Sequence, residues 1–174
     1  MRNRYIEIWK EINKDKKPIK IIDIGGRNEE LLKFKPKDIL CKYKNFDIKK
    51  GEDIEKKIKE KEKFDIIIFS HVIEHLTDKK TALINIRKMM HKKSRLILLT
   101  PNSLSWRRII FYIFNKRMES YGGYETHLCC FNIEVLKNLL ERFSFKIEKI
   151  KFYDFFLPFN LGKFSEEIMV VCKK

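Results

Sequence analysis

Apolar and polar positions alternate along this chain in two rhythms, one helical and one extended, and the two take turns. Tyr5, Ile8, Trp9 and Ile12 recur at three- and four-residue spacing. That spacing predicts an amphipathic helix over 4–14, within an N-terminal helical segment 1–17. Pro18 breaks it, and Ile19-Lys20-Ile21-Ile22-Asp23-Ile24 reads as a β-branched strand ended by Gly25-Gly26. A helix is expected to start at an Asn28 cap and to turn Leu31, Leu32 and Phe34 inward. Residues 39–43 form a weaker strand, and the lysine and glutamate run 52–62 reads as a solvated helix with charge pairs four apart. Phe64 to Ser70 is the strongest strand, because its near-continuous apolar character demands burial on both faces. A helix over 78–91 and a buried strand 95–99 follow, the latter stopped by Thr100-Pro101-Asn102. The aromatic and basic stretch 103–126 is partly helical and resembles a lid, with Gly122-Gly123 as a hinge or turn. Asn132 caps a helix to Arg142, and two strands, 145–153 and 168–172, close the series.

Strands alternating with helices around buried central strands predict one α/β domain over 1–174. It is Rossmann-like and doubly wound, with a mostly parallel sheet and an antiparallel C-terminal strand. Right-handed crossovers bring the carboxyl ends of the parallel strands to one edge, where such sheets bind ligands. The turns after Ile24, Phe69 and Leu99 all fall there.

Composition narrows the class. A chain of 174 residues with 44% apolar side chains can build one sizeable core and is not of disordered type. No apolar run approaches the roughly 18–20 residues of a membrane span, and early charges interrupt any signal-like core, so a cytoplasmic protein is expected. Cys41, Cys129, Cys130 and Cys172 show neither paired metal spacing nor a disulfide framework. The net charge of +15 leaves RNA or an anionic membrane surface open as a partner. Its lysines are spread along the whole chain, however, which suits a solvated surface better.

Four places could carry chemistry. The turn Asp23-Ile24-Gly25-Gly26 offers close backbone approach before a helix. It is not G-x-G-x-x-G, and Glu29 and Glu30 in the next turn would repel a pyrophosphate while tolerating a ligand with a cationic centre. Asp47 follows the second strand, where an acid can hold ribose hydroxyls or simply cap a helix. Asp53-Ile54 suits an adenine, the carboxylate accepting from its amino group and the isoleucine packing on its face. His71-Val72-Ile73-Glu74-His75 reads as H-x-x-E-H, but it directly follows a buried strand and no further ligand is evident, so no metal is expected. His71 and His75 are instead a general base or packing residues. Asn102 binds a ligand or caps the next helix.

Together these pieces resemble class I S-adenosylmethionine-dependent methyltransferases. IIDIGG is similar to their first motif and FDIIIFSHVIEHL to their central strand and following turn. LLTPNSLSWRRIIFYIF, RM and THLCCFNIEVLKNLLERFSFKI follow the order and spacing of MetW-like and type 11 methyltransferases. Arg27 and Glu29 stand where that family often has glycine, and one strand–helix unit before the central strand is reduced or lost. The resemblance implies S-adenosylmethionine as cofactor. Asp23, Gly25 and Gly26 would line its methionine part, Asp47 the ribose, Asp53 and Ile54 the adenine, and Ser70 and His71 the pocket floor, with His71 or His75 as base. It implies methyl transfer; the aromatic segment, not the resemblance, favours a small-molecule acceptor. The rival readings are a non-catalytic binding module with an eroded cofactor site and an RNA methyltransferase.

Overall fold

The computed structural model describes residues 4–12, 18–26, 29–56, 58, 62–114, 127–154 and 161–174. In chain order the elements are α1 (Arg4–Glu11), β1 (Ile19–Ile24), α2 (Glu30–Lys33), β2 (Cys41–Phe46), β3 (Phe64–Ser70) and α3 (Lys79–Met89). Then come β4 (Met90–Pro101), α4 (Trp106–Ile113), α5 (Ile133–Arg142), β5 (Lys146–Tyr153) and β6 (Glu167–Lys173). The six strands form one sheet in the order β2-β1-β3-β4-β6-β5. β1, β2, β3 and β4 pair in parallel, and β6 lies antiparallel between β4 and β5. This is the doubly wound α/β sheet with an antiparallel C-terminal strand that the alternation of elements predicts.

Strand alternation divides the core into two layers. Ile22, Ile24, Ile67, Phe69, Leu96, Leu98 and Val170 face α3 and α5. Ile21, Ile66, Ile68, Ile97, Leu99 and Met169 face α1, where Ile8, Trp9 and Ile12 cover them. Each such side chain contributes roughly 1.5–3 kcal/mol by leaving water, which is why the apolar strands take the centre. Trp9 also donates its indole N–H to Leu31 O at 2.9 Å, tying α1 to α2.

Several local expectations change. Residues 52–56 form turns, not a helix, because Ile54 is the one side chain there that is buried. Without an apolar stripe, charge pairs at a few tenths of a kcal/mol each do not hold a helix. Asn85 of α3 pins this loop by donating to Ile54 O and Lys56 O, both at 2.8 Å. Asn85→Ala leaves the buried Ile54 carbonyl and the part-buried Lys56 carbonyl without that donor and is expected to cost about 1–3 kcal/mol, read as a lower urea midpoint. α2 is capped by Glu29 in a left-handed conformation, and Asn28 lies outside the described residues. Phe34 is exposed and stacks on Tyr5 instead of entering the core. Residues 115–126, with Gly122-Gly123 and most of the predicted lid, also lie outside the described residues.

The sheet order reverses between β1 and β3: the chain winds outward to β2, then crosses to the other side. Their carboxyl ends flank a crevice at this switch point.

Candidate functional site

The turn after β1 is built for glycine twice over. Gly25 has φ +79°, and a Cβ there would stand 2.4 Å from Val72 Cγ2. A Cβ on Gly26 would stand 2.4 Å from a carboxylate oxygen of Asp23. The turn is held flat from below, since Gly25 N donates to Phe46 O at 2.8 Å and Asn45 Nδ2 donates to Gly26 O at 2.6 Å. Asp23 is buried, and Tyr43 donates its hydroxyl to the carboxylate at 2.8 Å. Burial raises the Asp23 carboxyl to about 6, with the Tyr43 hydrogen bond acting in the opposite direction.

Two cavities open at this edge. One, of about 190 Å³, is bounded by Asp23, Gly25, Gly26, Ser70, His71 and His75, with Arg4 and Tyr5 of α1 as its outer wall. The other, of about 200 Å³, is bounded by Asp47, Ile48, Glu52, Asp53 and Ile54. Gly25 and His75 border both. Each alone is below the roughly 300 Å³ of an ordinary small-molecule site, and Gly25 and His75 form the boundary between them. The structure thus brings Asp23, Gly25, Gly26, Ser70, His71 and His75 around one space, and Asp47, Asp53 and Ile54 around its neighbour.

The acids of the second cavity are partly committed to the backbone. Asp47 Oδ1 accepts from Lys49 N at 3.0 Å and caps a 3-10 turn over Ile48–Lys50. Asp53 Oδ1 accepts from Glu55 N at 2.9 Å, and its other oxygen lies 3.4 Å from Lys56 Nζ. Both carboxylates border the cavity while making these contacts.

The turn after β3 is strained. His71 sits at φ +55°, a left-handed conformation unusual for a side chain of its size and typical of functional turns. Its ring lies between two acids, with Nε2 2.9 Å from Glu167 Oε2 and Nδ1 3.5 Å from Glu74 Oε1. Burial opposes charge on His71, but Glu167 and then Glu74 outweigh it and hold its pKa above the ordinary histidine value. Glu74 is itself buried, which raises its carboxyl against the pull of His71; its Oε2 accepts from Thr100 Oγ1 at 3.2 Å. Leu128 N and Cys129 N both donate to Glu74 O, at 2.9 and 3.3 Å. This brings His127 against His75, ring centroids 4.6 Å apart and edge to face.

Of the two readings of Asn102, its contacts favour a structural one: its amide donates to Lys163 O and Ser165 O, and its Oδ1 accepts from Leu104 N just before α4, so it braces this loop. Arg4, Tyr5, Tyr43 and His127 reach this edge without being marked for it in the sequence pattern. Tyr43 owes its place to strand register: it pairs with Ile21, two residues before Asp23, on the edge strand of the sheet.

Fold and cavities together define a class I methyltransferase architecture. Residues 1–150 match the model of the methyltransferase domain family, and the chain belongs to that family. No curated protein matches it. Among solved structures it resembles a SAM-dependent methyltransferase from Thermotoga maritima, at 15% identity and TM-score 0.62, covering 98% of this chain and 87% of that one. It also resembles a SAM-dependent methyltransferase from Archaeoglobus fulgidus, at 19% identity and TM-score 0.54, covering 98% and 90%. A third likeness is to the Burkholderia thailandensis 1,6-didemethyltoxoflavin-N1-methyltransferase, solved with 1,6-didemethyltoxoflavin and S-adenosylhomocysteine bound. Identity there is 12%, the TM-score is 0.63, and 91% of this chain and 72% of that one are covered. Among the described residues no helix is long and apolar enough to cross a membrane.

Proposed function

We propose that this domain binds S-adenosylmethionine across the two cavities and transfers its methyl group to a small-molecule acceptor. The observation that carries the reading is the double-glycine turn packed against a buried acid, with Gly25 bordering both cavities. The amino-acid part of the donor lies over Gly25 and Gly26 with its ammonium towards Asp23. The ribose lies at Asp47 and the adenine at Asp53 and Ile54, with Ser70 and His71 beneath the sulfonium. The molecules bound to the Burkholderia enzyme, 1,6-didemethyltoxoflavin and S-adenosylhomocysteine, support this choice of donor and acceptor class.

In the reaction the S–CH3 bond breaks as an acceptor O, N or C attacks in line. The bond's electron pair stays on sulfur, giving a neutral thioether, and the acceptor's proton passes to a base or to water. The chain's own contribution is alignment, which can supply roughly 7–11 kcal/mol of the barrier. Where a base is needed, His71 or His75 serves. His71 already faces two acids and favours its charged form, so His75 is the better placed of the two.

Calorimetric titration with S-adenosylmethionine and S-adenosylhomocysteine tests the reading: one equivalent of each is expected to bind. Absence of binding by the folded protein returns the domain to a binding module of another kind. Asp53→Ala is expected to weaken donor binding about tenfold, corresponding to the loss of one hydrogen bond to a charged group. His75→Ala is expected to slow transfer with donor affinity kept, as measured by parallel turnover and titration.

A further inference from the structure

We propose that Glu74, His75 and His127 form a binding site for a first-row divalent cation beside the donor site. One carboxylate oxygen and two imidazole nitrogens of these residues all lie within 4.8 Å of one another. Two of them are consecutive on the 3-10 turn Ile73–His75, and the third arrives from a distant segment. That meeting is built: the paired backbone bonds from Leu128 and Cys129 to Glu74 O fix the segment that carries His127. The H-x-x-E-H spacing points to His71 and His75; the cluster instead takes Glu74 and His75 from that turn and His127 from a distant segment, with His71 held against Glu74 and Glu167.

The donor chemistry suits such an ion. Two imidazoles and a carboxylate are the hard-to-intermediate set that zinc, manganese, iron and cobalt accept, and three protein ligands leave coordination positions open. Ligands at roughly 2.0–2.2 Å from one ion stand within about 4.4 Å of one another, close to the 4.8 Å within which these three atoms already lie. Glu74 is buried, and a buried carboxylate gains from a nearby positive charge. His71, 3.5 Å from Glu74 Oε1, and Thr100, 3.2 Å from Glu74 Oε2, orient that carboxylate as outer partners orient metal ligands.

His75 borders both cavities, so an open position on the ion faces the space where donor and acceptor meet. There it would hold an oxygen or nitrogen of the acceptor and lower that group's pKa; with the ion bound His75 is its ligand, and the base role given to His75 above belongs to the metal-free protein. This role rests on the methyl-transfer reading; the cation site itself does not.

The test is titration of chelator-stripped protein with Mn²⁺, Co²⁺ and Zn²⁺, followed by calorimetry and by the visible absorption of Co²⁺. One equivalent is expected to bind, with affinity reduced at least 10–100-fold in His127→Ala and in His75→Ala. His127 is half-exposed, so His127→Ala keeps the fold testable by circular dichroism even where a variant at buried Glu74 does not. Absence of stoichiometric cation binding by the folded protein overturns the site, as does unchanged affinity in both variants. Donor titration with chelator present reads the methyl-donor site separately, so either reading can fail without the other.

Discussion

Gly25→Val is expected to abolish donor binding and to lower folding stability by about 2–5 kcal/mol. Two independent obstacles act at this residue. Its φ of +79° is open to glycine and strained for a β-branched side chain, and its Cβ would enter the van der Waals space of Val72 Cγ2. A simple expectation from sequence is that the valine would intrude on the ligand. The geometry adds an obstruction within the protein: either the turn after β1 or the turn carrying His71 and His75 must move. Because both turns border both cavities at Gly25 and His75, either shift breaks the shared edge. The combination Gly25→Ala with Val72→Ala separates the causes. It removes the clash and leaves the backbone strain, so it is expected to recover part of the stability lost in Gly25→Ala alone. Urea unfolding reads the stability and calorimetry the binding; donor affinity unchanged in Gly25→Val would place the site elsewhere.

What the chain reveals locally and what it conceals follow one division. β1 and β3 are legible to the residue because unbroken β-branched and aromatic runs flanked by turn residues admit few other readings. The Asn132 cap of α5 is equally legible, its side chain accepting from Val135 N at 2.9 Å. The turn residues Asp23, Gly25, Gly26, Ser70 and His71 stand out because a strand's carboxyl end sets their place before any tertiary contact is known. Residues 52–56 misled because charge spacing mimics a helix face, while their conformation is decided by Asn85, some thirty positions away. Asn102 stays open between two readings for a similar reason: its polar side chain after a strand is spoken for by carbonyls of residues 163 and 165. Tyr5 reads as part of the apolar face of α1, with no hint of a cavity, and Arg4 carries no signal; only the packing of Trp9 and Ile8 against the sheet brings both to the cavity. His127 is the clearest case. Nothing near it in sequence signals a partner, yet backbone bonds to Glu74 O set it on His75. Local pattern thus carries the elements and the strand-end turns. Long-range hydrogen bonds decide the walls of the site.

Donor binding is expected to release a proton and to weaken by about tenfold per pH unit as pH falls below about 6. The cause is Asp23, whose carboxyl burial holds at about 6 in the empty protein. A cationic ammonium placed beside it favours the ionised form, so the bound-state value falls below 6. Between the two values, binding must expel the proton; above both, affinity is flat. The same carboxyl acts on folding with the opposite preference. Its folded value lies above the unfolded 3.8, so its contribution to stability is fully present below pH 3.8. That contribution is lost as pH rises through about 6, a swing of about 3 kcal/mol. Asp23→Asn carries no charge to bury, keeps an acceptor for the Tyr43 hydroxyl and removes the titration. It is therefore expected to be more stable than the parent at pH 8 and to match it near pH 4. Its donor affinity should be at least tenfold weaker at pH 8 and independent of pH between 5 and 8. Calorimetry in buffers of different ionisation enthalpy counts the released proton, and urea unfolding at pH 4 and 8 reads the stability. A pH-independent parent affinity with no proton released would remove Asp23 from the ammonium site. A stability gain in Asp23→Asn without loss of binding would leave it a buried acid serving the turn alone.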